Sequence, residues 1–199
     1  MARRSDHSRD EIRTMALVAA EGLIVAQGFS GLSARKVAAA IGYTVGTLYL
    51  VFRNLDDLIL QVNERTLDAL FSRLQEALEA SAEGEGALAL GLAYLHFATE
   101  APRRWGAVFD HHLPEGELPP PGYLAKVERF FTLLEGVLHG LAPARSDAEI
   151  ARAARALWSG VHGVCILGLT GRLDPVSGGE LELLVESLVR NYLAGFTGR

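Results

Sequence analysis

Apolar residues recur every three to four positions through most of this 199-residue chain, and glycine, proline and short polar runs separate the segments that carry the pattern. Ile12, Met15, Ala16, Ala19, Ala20 and Leu23 follow the 3.6-residue period and predict a helix over 9–27, closed by Gly28. Leu58, Leu67, Leu70, Phe71 and Leu74 predict a long helix over 56–82, which a run of alternating Glu and Gly interrupts. Further helices are predicted over 87–100, 103–112, 123–141, 147–171 and 177–196, with Pro102 marking a start. Segment 113–122 holds four prolines and two glycines, so it reads as a loop of polyproline character. No stretch alternates with the period of a strand and no repeat is visible. The pattern predicts an all-α fold.

The most telling segment is Ser33 to Phe52. Ser33 is a good N-cap for a helix burying Val37, Ala38 and Ile41. Gly42 suits the turn that follows, because it takes a left-handed conformation at little cost. Thr44 then caps a second short helix that buries Leu48 and Phe52. Its other face offers Gly46, Thr47 and Tyr49, small or hydroxyl-bearing groups that suit a helix whose N-terminal end faces base edges and phosphates. Arg35 and Lys36 lie in the first turn of the supporting helix, within reach of phosphate or base edges. Tyr43 and Thr44 lie at the turn, where backbone N–H groups favour phosphate. Val45 and Gly46 face the groove, and Val45 suits a thymine methyl.

Gly28-Phe29, Leu32-Ser33, Val37-Ala38, Ile41-Gly42 and Gly46-Thr47-Leu48-Tyr49 to Phe52 together resemble the tetracycline-repressor (TetR) family. The resemblance covers about the first 60 residues. Beyond them, Trp158-Ser159-Gly160-Val161-His162-Gly163 is similar to the Trp-His-Gly signature of one group of TetR-type regulatory domains. It implies a three-helix helix-turn-helix head over 1–55 and a larger helical ligand-binding and dimerisation domain over 56–199. The DNA-binding residues it implies, with the reading above, are Ser33, Arg35, Lys36, Tyr43, Thr44, Val45, Gly46, Thr47, Tyr49 and Arg53. One departure is visible. The family usually has a lysine where this chain has Leu55, and Arg53 is the candidate substitute.

Net charge is −5, which by itself disfavours nucleic acid, but it is unevenly spread. Residues 1–55 carry seven Arg or Lys against four Asp or Glu, while 56–199 carry twelve against twenty. A basic head on an acidic body fits the motif. Arg3, Arg4 and Arg9 form either a basic arm or a solubilising tail. No apolar segment follows them and no apolar run approaches 18 residues, so neither a signal peptide nor a membrane span is expected, and the expected location is cytoplasmic. A single cysteine, Cys165, excludes an intrachain disulfide or a cysteine-based zinc cluster.

The last two predicted helices carry long apolar stripes. The first runs Ile150, Ala153, Ala154, Leu157, Trp158, Val161, Cys165. The second runs Leu181, Leu184, Val185, Leu188, Tyr192, Phe196. Either they fill the chain's own core, or they meet the same pair from a second copy, with Gly160 and Gly163 permitting close approach. The resemblance favours a homodimer through Leu157, Val161, Leu181, Leu184, Leu188 and Tyr192, which also suits a palindromic double-stranded operator. For the effector pocket, the family architecture points to Tyr94, Phe97, Trp105, Phe109, Phe130, Trp158 and His162, all equally suited to plain core packing.

The sequence contains no phosphate loop, nucleophile elbow or HExxH pair, so neither enzyme, cofactor nor metal is expected. Asp110-His111-His112 is a poor ligand set, because adjacent helical residues point apart. The resulting expectation is a repressor released from DNA by a small apolar effector. The alternatives are a DNA-binding regulator without effector, and a helical enzyme or interaction module.

Overall fold

The structure, a computed structural model, describes residues 7–173 and 180–198. Among the described residues the chain forms nine α-helices and no strands, so the all-α expectation holds. They are α1 (Arg9–Gln27), α2 (Ala34–Ala40), α3 (Val45–Leu48), α4 (Leu55–Glu79), α5 (Gly86–Glu100), α6 (Pro102–Asp110), α7 (Pro121–Leu141), α8 (Asp147–Leu169) and α9 (Leu181–Thr197). None is long and apolar enough to cross a membrane. The start expected for the last helix, at 177, lies outside the described residues, as do Arg3 and Arg4.

The helices sort into two compact units. One, the head, comprises Met1–Leu67 with Arg103–Tyr123; the other, the body, comprises Asp68–Pro102 with Leu124–Arg199. The head therefore runs past residue 55. Leu58 and Val62 of α4 and Ala107 of α6 are buried in one core with Ile12, Ala16, Ile24, Val37, Leu48 and Phe52. Polar contacts hold α6 in that unit. Arg103 Nη1 donates to the carbonyls of Val25 (2.7 Å) and Ala26 (2.6 Å), closing the C-terminal end of α1. Asn63 Nδ2 donates to the carbonyl of Ala107 at 3.2 Å, and His111 Nε2 lies 2.9 Å from Asp56 Oδ1. Asp110-His111-His112 thus serves the fold, and no group of residues suited to a metal ion occurs among the described residues.

Inside the body, α5 packs against α8 and α9. Glycine decides how closely. A Cβ on Gly91 would sit 3.2 Å from Val185 Cγ1, and one on Gly160 would sit 2.8 Å from Leu188 Cδ2. Gly160 thus seats α9 of its own chain. Gly163 is different, since nothing lies within 4 Å of its Cβ position.

Candidate nucleic-acid interface and ligand cavity

The turn between α2 and α3 is built from local hydrogen bonds. Ser33 caps α2, its Oγ accepting the Lys36 N–H at 3.3 Å. At the other end the Tyr43 N–H reaches the Ala38 carbonyl (2.9 Å) and the Gly42 N–H the Ala39 carbonyl (3.1 Å). This is a Schellman closure, which requires the left-handed φ of +75° that Gly42 adopts. Thr44 Oγ1 accepts the Thr47 N–H at 3.2 Å and lies 3.0 Å from Thr47 Oγ1, fixing the start of α3. Regular helix ends at Leu48, sooner than the sequence suggests, and the chain turns on through 49–51. The Phe52 N–H still reaches the Leu48 carbonyl, and both side chains are buried as expected.

The expected contact residues divide by what already holds them. Arg35, Thr44, Gly46 and Tyr49 are exposed, Tyr49 to 44%. Ser33, Val45 and Thr47 are half-buried. The Lys36 ammonium is bound at home, donating to Gln27 Oε1 (2.6 Å) and the Gly31 carbonyl (2.8 Å), so it ties α2 to the turn at Phe29–Gly31. The Tyr43 hydroxyl lies 2.8 Å from His7 Nδ1. Arg53 keeps its side chain 75% exposed, with Nε 3.6 Å from Asp57 Oδ2, which also accepts the Arg53 N–H at 2.8 Å. Burial alone would raise the Asp57 pKa. Hydrogen bonds from the Arg53 backbone, Gln61 and the Arg53 side chain outweigh it and hold the carboxyl below its ordinary value. Leu55, where the family has lysine, opens α4.

In the body a cavity of about 50 Å³ lies among Leu74, Ala87, Leu90, Gly91, Tyr94, Phe130, Leu133, Leu134, Leu157, Trp158 and Val161. Three expected pocket residues, Tyr94, Phe130 and Trp158, are in its wall. His162 stands behind it, with Nδ1 2.9 Å from the Tyr94 hydroxyl and its ring stacked on Trp158 at 5.0 Å. Burial lowers the His162 pKa, favouring the neutral imidazole. Phe97 is buried but outside the wall. Trp105 and Phe109 belong to the head, where their rings meet at 5.1 Å, because α6 is part of that unit. Cys165 is fully buried and its thiol is pushed up to about 12 by burial, which leaves it inert.

The expected interface residues also divide. Leu157 and Val161 face inward and line the cavity. Leu188 meets Gly160, and a Cβ on Gly168 would sit 2.6 Å from Leu181 Cδ2, so both leucines fill the seam between α8 and α9. Leu184 is half-buried, and Tyr192 is too, stacked on Phe196. The face of α8 that its own chain leaves open carries Ala156, Ser159, Gly163 and Leu167, and that of α9 carries Ser187, Asn191 and Ala194. Of the six expected interface residues, Leu157 and Val161 are buried in their own chain, while Leu181, Leu184, Leu188 and Tyr192 are half-buried.

One unit thus carries a capped helix–turn–helix and the other a small, partly open apolar cavity. The chain belongs to the tetR family: residues 16–62 match "Bacterial regulatory proteins, tetR family" and residues 87–192 match "Tetracyclin repressor-like, C-terminal domain". It is 27% identical over 176 residues to an uncharacterised HTH-type transcriptional regulator of Mycobacterium tuberculosis, Rv0681, covering 87% of this chain and 76% of that one. Its fold is similar to that of a TetR-family transcriptional regulator from Streptomyces coelicolor (TM-score 0.66, 20% identity, 93% and 99% of the two chains). It is also similar to the regulator FadR from Bacillus subtilis, solved in complex with stearoyl-CoA (TM-score 0.68, 16% identity, 92% and 98%).

Proposed function

We propose that this chain is a ligand-responsive repressor, a homodimer that places two α3 ends on a palindromic operator and leaves it when a small uncharged effector occupies the body cavity. The observation that carries the ligand class is the cavity wall. It has eleven residues, none of them charged, and three aromatic rings. The Tyr94–His162 pair offers one hydrogen-bonding point behind the wall. A mostly apolar, preferably aromatic molecule with a single polar group fits such a wall, whereas an ion would lose its hydration without a partner. Stearoyl-CoA, the ligand in the FadR structure, carries charged phosphates for which this wall offers no partner.

The volume supplies the mechanism. About 50 Å³ holds one or two waters, while drug-sized ligands need roughly 300 Å³ or more. Effector entry therefore parts the walls. One wall residue, Leu74, stands on the same continuous helix, α4, whose Leu58 and Val62 fill the head core. An effector that binds only the opened body biases that helix, and with it the head, away from the DNA-binding state. The same small volume favours a second reading, a DNA-binding regulator without effector. Thermal shifts against neutral aromatic compounds, followed by operator titration, separate the two. A compound that raises Tm and weakens DNA binding supports the first reading, and a stabilising compound that leaves DNA affinity unchanged supports the second.

The dimer has its own test. Gly163 has open space around its Cβ position, so Gly163→Arg leaves the monomer fold intact while placing a charge on the open face of α8. Wild type should sediment as a dimer at micromolar concentration and the variant as a folded monomer. A variant that remains dimeric would exclude this face.

A further inference from the structure

We propose that His7 and Tyr43 together form a backbone-phosphate site on the head, one that is complete only when His7 is protonated, so that DNA binding takes up a proton. The proposal rests on the reading of the turn between α2 and α3 as DNA-facing. Its starting observation is a single side-chain pair. His7 Nδ1 lies 2.8 Å from the Tyr43 hydroxyl, and the two rings meet edge to face at 6.1 Å. His7 is exposed and Tyr43 is half-buried. The backbone is fixed beside both. The Ser8 N–H donates to Glu11 Oε2 at 2.6 Å and Ser8 Oγ accepts the Glu11 N–H at 3.3 Å, a reciprocal cap on α1. The Tyr43 N–H donates to the Ala38 carbonyl at 2.9 Å, and the next residue, Thr44, caps α3. The pair therefore joins the start of α1 to the turn that leads into α3.

The hydrogens decide what the pair can bind. Phosphate oxygens accept hydrogen bonds from side-chain and backbone donors. A neutral imidazole has one N–H. If it is on Nε2, Nδ1 accepts the Tyr43 O–H and consumes the proton of the hydroxyl. If it is on Nδ1, that N–H donates to the Tyr43 oxygen and the hydroxyl proton turns outward, but Nε2 is then an acceptor, which a phosphate does not favour. A protonated ring removes the conflict. Nδ1–H donates to the Tyr43 oxygen, the Tyr43 O–H turns outward, and Nε2–H is a second donor with a positive charge behind it. Such charge-assisted bonds are the strong ones for phosphate. An anion beside the ring favours its charged form in return, and histidine is the side chain whose charge ordinarily changes between about pH 5 and 8. From α1 the ionisable group facing His7 is Glu11, and from the turn it is Tyr43. Hydrogen bonds from the Ser8 backbone and side chain hold the Glu11 carboxyl below its ordinary value, with a smaller contribution from His7, so Glu11 stays an anion through this window.

The head has use for the charge. Phosphate neutralisation supplies much of the affinity for DNA. Yet α3 is Val-Gly-Thr-Leu with no cation, and the Lys36 ammonium is bound to Gln27 and Gly31. In the segment 33–53 that leaves Arg35 and Arg53.

The test uses the full chain and a duplex that the chain itself selects from a random-sequence pool. Affinity is measured by fluorescence anisotropy across a salt series at about pH 6 and about pH 8, on either side of the ordinary histidine titration. Wild type should bind more tightly at the lower pH, with a salt slope steeper there by up to about 0.9 per protomer, the worth of one added phosphate contact. His7→Gln keeps a hydrogen-bonding group that cannot titrate, and its slope should be the same at both pH values. Tyr43→Phe keeps the ring charge, so it should keep the change of slope while losing more affinity at the lower pH than at the higher. The imidazole resonance of His7, assigned by its loss in His7→Gln, should titrate at higher pH with the duplex than without it. A His7→Gln variant with the wild-type pH dependence, or a resonance that titrates alike with and without duplex, would overturn the site. A Tyr43→Phe variant that loses the same affinity at both pH values would overturn the turning of the hydroxyl. A wild type that selects no duplex would remove the DNA-facing reading of the turn, and the site with it.

Discussion

Lys36 and Arg35 are neighbours with the same charge, and the structure gives them different work. The Lys36 ammonium satisfies the Gly31 carbonyl and the Gln27 amide, while Arg35 extends into solvent with no partner among the described residues. Arg35→Ala should therefore lower the salt slope of DNA binding by about 0.9, and Lys36→Met should leave it unchanged while lowering Tm. Equal slopes in both variants would show that Lys36 leaves its partners for phosphate. The sequence shows two cations in a first helical turn. It does not show that the 3-10 turn at Phe29–Gly31 points a carbonyl at one of them, because that depends on the path of the chain outside the helix. His162 has a similar lesson. Its spacing from Trp158 was legible, and its partnership with Tyr94, 68 residues away, was not. Burial lowers its folded-state pKa below the ordinary 6.5. The unfolded state thus takes up a proton first as pH falls below about 6.5, and its contribution to stability declines from there until the folded imidazole titrates too. His162→Gln should flatten Tm against pH in that window. An unchanged profile would mean that this ring does not titrate differently in the two states.

At the scale of elements, helix boundaries were readable wherever a cap residue met an apolar period. Ser33, Gly42 and Thr44 do what their chemistry predicts, and α1 begins and ends where its stripe does. What the stripe could not convey is that α3 is a single turn. Leu48 and Phe52 are four apart in either case, so burial alone does not distinguish a continued helix from the looser turn observed. A one-turn helix has little internal cooperativity and depends on its cap. Thr44→Ala should cost about 1 kcal/mol, or ~2–4 °C in Tm for a chain of this size. If α3 faces the bases as proposed, the variant should also bind DNA more weakly at temperatures where it is fully folded, because the cap fixes the start of α3. A lowered Tm with unchanged DNA affinity would show that the cap supports the fold without positioning α3. The stripes of α8 and α9 were legible as buried faces but not as faces of one particular core. Which neighbour fills Gly91 or Gly160 is a tertiary fact, and with Leu157 and Val161 facing inward the open side of α8 carries Ala156, Ser159, Gly163 and Leu167.

At the scale of the whole molecule, α4 is the one element whose length the sequence predicted and whose double membership it did not, since residues up to Leu67 belong with the head and those beyond with the body. A ligand that opens the body must act on DNA through differential affinity for two states, and linkage then works in both directions. If an effector weakens operator binding by a given factor, operator DNA weakens effector binding by the same factor. Titrating effector with and without operator measures this directly, and equal affinities would remove the coupling. The cavity assignment needs a variant that acts only there. Ala87 lies in the wall and is almost fully buried, and valine adds two carbons to a space of about 50 Å³. Filling that space gains up to ~1.6 kcal/mol of burial, against a few tenths lost to the β-branch in a helix. Ala87→Val should therefore keep or raise Tm, keep operator affinity, and lose the effector response. If the variant still releases DNA at the same effector concentration, the effector binds elsewhere; if it loses DNA affinity with no effector present, the closed cavity is itself a requirement of the DNA-binding state.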